Sequence, residues 1–77
     1  MKKHSIRLFG HATSFSLEEP FFKEVKALAK EQGLSLQKLI EQIDERRGYY
    51  PLSEALRLFV LEAFQKKISK LESKMGH

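Results

Sequence analysis

Between Ala55 and Phe64 the chain carries Ala55, Leu56, Leu58, Phe59, Val60, Leu61, Ala63 and Phe64, interrupted only by Arg57 and Glu62. Wound into a helix, these residues are apolar nearly all the way round, the pattern of a helix buried on several sides. A chain of 77 residues buries a smaller share of its surface than a larger domain does, so one copy has too little material to hide such a helix. The sequence contains no Cys, which removes disulfides and thiolate metal sites as staples and leaves oligomerisation as the common remedy. The segment is therefore read as the core of a homodimer.

Upstream, β character is confined to Ser5 to Leu17. Ile6 and Leu8 alternate with polar neighbours, and Thr13, Phe15 and Leu17 alternate with Ser14 and Ser16. Apolar residues occupy even positions before Gly10 and odd positions after it, so one unbroken strand would expose one of the two sets. Gly10 and His11 thus read as a turn or a bulge. From Glu19 the period becomes helical, with Pro20 in the first turn and a stripe of Phe22, Val25, Leu28 and Ala29 ended by Gly33. Ser35 is the expected N-cap of a second helix with the stripe Leu36, Leu39, Ile40 and Ile43. Arg46 to Pro51 interrupt it, and a third helix runs from Leu52 or Ser53 to about Ser73. The Phe residues at 15, 21, 22, 59 and 64 read as core, and Tyr49 and Tyr50 as a loop packed over it.

Net charge is +4, concentrated in Lys2, Lys3 and Arg7 at one end and Lys66, Lys67, Lys70 and Lys74 near the other. This permits a polyanionic partner without requiring one. No apolar run approaches the roughly 18 residues a membrane span needs, and the basic N-terminus lacks a signal-peptide core, so a cytoplasmic protein is expected. His4, His11 and His77 lack metal-ligand spacing. With no Cys nucleophile, no glycine-rich phosphate loop and no carboxylate–histidine constellation, neither an enzyme nor a cofactor is expected.

The order strand, helix, Gly-containing turn, amphipathic helix resembles a ribbon-helix-helix protein of the Arc and MetJ type. The segments Gly10 to Glu18, Gly33 to Leu36, Ile43-Asp44 and Leu52 to Leu61 resemble a bacterial subgroup with a third helix. The resemblance implies a mostly α fold with one short β ribbon, an intertwined ribbon-helix-helix homodimer with an added helix. Residues 1–64 would form the domain and 65–77 a basic helical extension and tail. The dimer core would comprise Phe15, Leu17, Val25, Leu28, Leu36, Leu39, Ile40, Ile43, Leu56, Phe59 and Val60.

In that superfamily an antiparallel ribbon enters the DNA major groove, so the resemblance implies a transcriptional regulator of double-stranded DNA. With Thr13, Phe15 and Leu17 facing inward, alternation turns Ala12, Ser14 and Ser16 towards base edges. Helix-start amides at Leu34, Ser35 and Leu36 would hold a phosphate, with Lys38 one turn in and Lys2, Lys3, Arg7 and His11 adding contacts. The chain departs from the family pattern at Ala12, where a basic residue, commonly Arg, is expected. Arg reads guanine with two hydrogen bonds, whereas Ala offers a methyl contact to thymine. Two other readings compete: a protein-interaction or antitoxin-like module using the third helix or tail, and a membrane-surface helix over Gln65 to Met75, disfavoured by the small apolar face of Ile68 and Leu71.

Overall fold

A computed structural model describes residues 1–75. His77, one of the three histidines found above to lack metal-ligand spacing, lies outside the described residues. Two strands, β1 (Lys2–Leu8) and β2 (His11–Leu17), precede three helices, α1 (Glu19–Glu31), α2 (Leu36–Arg46) and α3 (Leu52–Met75). The strands pair antiparallel from Lys2 opposite Leu17 to Leu8 opposite His11.

This hairpin corrects the sequence reading, which starts β structure at Ser5 and gives each chain one strand to pair with another copy. The chain supplies both strands itself. The parity switch follows from the register: even residues of β1 lie opposite odd residues of β2, so His4, Ile6 and Leu8 share one face with Phe15 and Leu17. Phe9 and Gly10 close the hairpin with φ of 52° and 81°, the left-handed values a two-residue type I′ turn requires at both positions. The Phe9 amide donates to Glu41 Oε2 at 2.8 Å, tying the tip to α2.

The inward face of the hairpin packs on the helices, β1 against α2 and β2 against α3, and reaches α1 through an aromatic contact. His4 stacks on Phe22 with ring centroids 3.7 Å apart, and Phe15 lies 5.5 Å from His4. α1 begins after an extended Glu18 with Pro20 in its first turn. It ends in a Schellman arrangement, Leu34 N–H donating to the Ala29 carbonyl and Gly33 N–H to that of Lys30, with Gly33 at φ 70°. Leu34 then folds back on the core. Ser35 caps α2, its Oγ accepting from the Lys38 amide at 3.1 Å.

Leu17, Val25, Leu39, Ile40, Leu56 and Val60 are sealed in one cluster that also holds Leu8, Phe15, Leu28, Ala29, Ile43 and Ala55. Nine of the eleven residues assigned above to a dimer core are thus buried by the chain's own elements, while Leu36 and Phe59 are half-buried against them. A single copy covers more of α3 than its composition suggests. What it leaves open is a different face, with Leu58, Leu61 and Phe64 exposed.

Three further placements differ from the sequence reading. Thr13 shares the inward side of the sheet but is exposed, because the helices cover Leu8 on β1 and Phe15 and Leu17 on β2 and leave the His11 to Thr13 end of β2 open. Phe64 is exposed rather than core because α3 outruns the helices that pack against its first half. Tyr49 and Tyr50 point to solvent instead of packing over the core. Arg47 explains this: its Nε donates to Asp44 Oδ1 at 2.6 Å and its Nη1 to the Tyr50 carbonyl at 2.8 Å, so the loop is held by its backbone and the rings turn outwards.

Candidate nucleic-acid interface

The face of the hairpin turned from the core carries Lys3, Ser5 and Arg7 from β1 and Ala12, Ser14 and Ser16 from β2, all exposed. Lys3 lies opposite Ser16, Ser5 opposite Ser14 and Arg7 opposite Ala12. Directly opposed residues on one face have Cβ atoms about 4.5–5.5 Å apart, so Arg7 sets a cation beside Ala12, the position where the resemblance leads one to expect a basic residue. Arg7 is steadied by a hydrogen bond from Nη1 to the Gly10 carbonyl at 3.2 Å. No carboxylate shares this face, so its field is positive and its neutral positions offer three hydroxyls and a methyl.

The remaining residues singled out for phosphate contact distribute differently. Lys2 and His11 fall on the opposite side of the sheet from Lys3 and Arg7, exposed at its two ends, Lys2 opposite Leu17 and His11 beside the turn. At the start of α2, Ser35 and Lys38 are exposed, while Leu34 and Leu36 are half-buried with side chains against the core. Ser35 Oγ occupies the Lys38 amide, and the Ser35 carbonyl accepts from Leu39. The amides of Leu36 and Gln37 precede the helical ladder and remain donors for an external acceptor.

A contact that sequence reasoning misses braces this region. Arg57 on α3 donates from Nε to Glu18 Oε1 at 2.9 Å and from Nη2 to Glu18 Oε2 at 3.2 Å, a two-pronged pair joining α3 to the junction between β2 and α1. The Arg57 hydrogen bond, with the Glu18 backbone amide assisting, holds the Glu18 carboxyl below its usual range. Thirty-nine positions separate the partners, and the only sequence signal is that Arg57 interrupts an otherwise apolar run.

A ribbon-helix-helix domain model matches residues 1–64. The chain belongs to the ribbon-helix-helix family. Comparison with curated proteins and with solved structures finds no significant match. Ribbon-helix-helix domains usually bind DNA, as transcriptional regulators or antitoxins, and typically dimerise; they are generally not enzymes. The match stops at Phe64, within α3, so the rest of that helix lies beyond the shared ribbon-helix-helix region. Among the described residues no helix is long and apolar enough to cross a membrane.

Proposed function

We propose that this protein is a dimeric, sequence-specific DNA-binding regulator that reads DNA with the outward face of its hairpin. The observation that carries the reading is the composition of that face: Lys3 and Arg7 beside Ser5, Ala12, Ser14 and Ser16, with no acidic residue.

Strand chemistry favours β2 as the edge that meets a second copy. In a hairpin closed by a two-residue turn the pair beside the turn exchanges both hydrogen bonds, and alternation then aims the backbone groups of Ala12, Ser14 and Ser16 at the open edge of β2. β1 carries Lys2, Lys3 and Arg7, the charges that discourage edge pairing, whereas β2 has no Lys or Arg. Joining two hairpins at β2 makes a four-stranded sheet in the order β1, β2, β2, β1.

Its outer strands would lie about 14 Å apart at a spacing of about 4.8 Å per strand, wider than the major groove of about 12 Å. Only the central pair fits. Ala12, Ser14 and Ser16 then address base edges, while Lys3 and Arg7 on the outer strands ride over the flanking phosphates. The start of α2 supplies further phosphate contact through the free amides of Leu36 and Gln37, with the Lys38 side chain one turn in; the Leu34 amide, expected from the sequence to share in this, is already given to the Ala29 carbonyl.

Binding to pooled genomic fragments in the presence of competitor DNA tests the proposal. It expects one fragment class to be retained at salt concentrations that release the rest. Uniform release of all fragments, or no binding at low salt, refutes it. The tail-borne alternative, a protein-interaction or antitoxin-like role, gains weight from the exposed apolar residues of α3.

A further inference from the structure

The exposed residues of α3 form a second apolar stripe. Leu61, Phe64, Ile68 and Leu71 are 51, 38, 54 and 58% exposed and are spaced three, four and three residues apart. That is a heptad seam with Leu61 and Ile68 at a, Phe64 and Leu71 at d. It lies about a quarter of a turn round the helix from the face buried through Leu56, Val60 and Ala63, taking 3.6 residues per turn. The seam begins one turn beyond Arg57, where α3 leaves the Glu18 brace, and the described part of the chain provides nothing to cover it.

We infer that this stripe is an interface for α3 of a second copy, packed parallel and in register. The charges beside the seam select that occupant. Lys67 falls at g and Glu72 at the following e, the two positions that meet across a parallel pair, so each interface gains two Lys67 to Glu72 contacts. An antiparallel pair would set Lys67 against Lys67 instead. Ile at a with Leu at d, as in Ile68 and Leu71, is the combination that suits two parallel strands. Lys67 now pairs with Glu31 at 3.1 Å, but both side chains are about half exposed, and such surface pairs offer little resistance to exchange.

Two heptads alone would hardly fold as a free peptide, because helix nucleation is costly. Here the first half of α3 is anchored in the core by Leu56 and Val60, so the helix is already formed when a second copy arrives. The surface is separate from the β2 edge, and the inference stands whether or not the hairpin binds DNA.

The absence of Cys makes the test direct. Under mild oxidation Ile68→Cys and Leu71→Cys should each give disulfide-linked homodimers, while Lys66→Cys, on the far side of the helix, should not. In sedimentation, Leu71→Asp should weaken self-association at least tenfold with helical circular dichroism unchanged. Lys67→Glu should weaken it too, and Lys67→Glu/Glu72→Lys should restore it, with Glu31→Gln having no effect. Cross-linking at 68 and 71 no greater than at 66 would overturn the inference. So would preferred mixed disulfides between positions 68 and 71, which report antiparallel packing. A Leu71→Asp variant that loses binding to anionic phosphatidylserine vesicles but keeps its self-association would assign the stripe to a membrane surface instead.

Discussion

Replacing Arg7 with Ala separates phosphate contact from base reading. Arg7 projects from the outward face of β1, and the proposed dimer presents it twice, once over each edge of the groove. Each phosphate neutralised on duplex DNA contributes about 0.9 to the slope of log affinity against log salt. Loss of two contacts should therefore flatten the slope by about 1.8. Over a fourfold salt change, 50 to 200 mM, the wild type should lose about twelvefold more affinity than the variant on the same basis. Fluorescence anisotropy on the retained fragment and on an unrelated duplex, across that salt range, measures both quantities. The flattening should be the same on the two DNAs, leaving their affinity ratio within about twofold, as expected for a contact that carries no base information. An unchanged slope would refute the placement of Arg7 on phosphate. A collapse of the affinity ratio with little change in slope would put Arg7 on a base edge and overturn the width argument.

Other consequences can be checked separately. Ala12→Arg should add one bidentate reader per chain, worth about 1 to 3 kcal/mol at a guanine-bearing position, and shift the preferred site in a randomised-duplex selection. Leu56→Ala, at a fully buried position, should destabilise the fold by about 2 to 5 kcal/mol in urea unfolding. Gly33→Ala meets no neighbouring atom but must hold φ at 70°, so it should cost about 1 to 2 kcal/mol without altering the DNA salt slope. Glu18→Gln should be less stable than the wild type at neutral pH. Because the Arg57 fork lowers the Glu18 pKa in the folded state, its contribution is present above the usual value of 4.5 and lost as pH falls through the depressed folded value. The two unfolding curves should therefore converge in acid.

Local chemistry was the part of this fold that could be read directly. The Ser35 cap, the Gly33 stop and the apolar stripes of α1 and α2 depend on residues within one or two turns of each other, and they appear where the pattern puts them. The parity switch likewise announced a turn or a bulge at Gly10 and His11; the structure makes it a turn one residue earlier, at Phe9 and Gly10, with His11 opening β2. The pairing across that reversal was less visible. Lys2, Lys3 and His4 look like a charged arm until Phe22 and Phe15 are seen to take His4, and Phe9-Gly10 lacks the Asn-Gly signature of a type I′ turn. The outward alternation of Ala12, Ser14 and Ser16 was legible in β2 alone, but the cation opposite Ala12 was not, because it depends on register with a strand read too short. The Glu18–Arg57 fork and the division of α3 into a buried face and an open seam are tertiary facts. An all-round apolar composition cannot say which side its own chain will take.

The hairpin also divides evolutionary labour. In the proposed dimer β2 lies close to the two-fold axis, so substitutions along it are felt by the chain's own core at Phe15 and Leu17, by the groove at Ala12, Ser14 and Ser16, and by the second copy along its edge. β1 stands off that axis, held by the Phe9-Gly10 turn and by the tie from the Phe9 amide to Glu41. Lys3, Ser5 and Arg7 can therefore vary with little consequence for folding or pairing. Such an outer strand is a place where binding strength can be tuned while the recognition strand is kept.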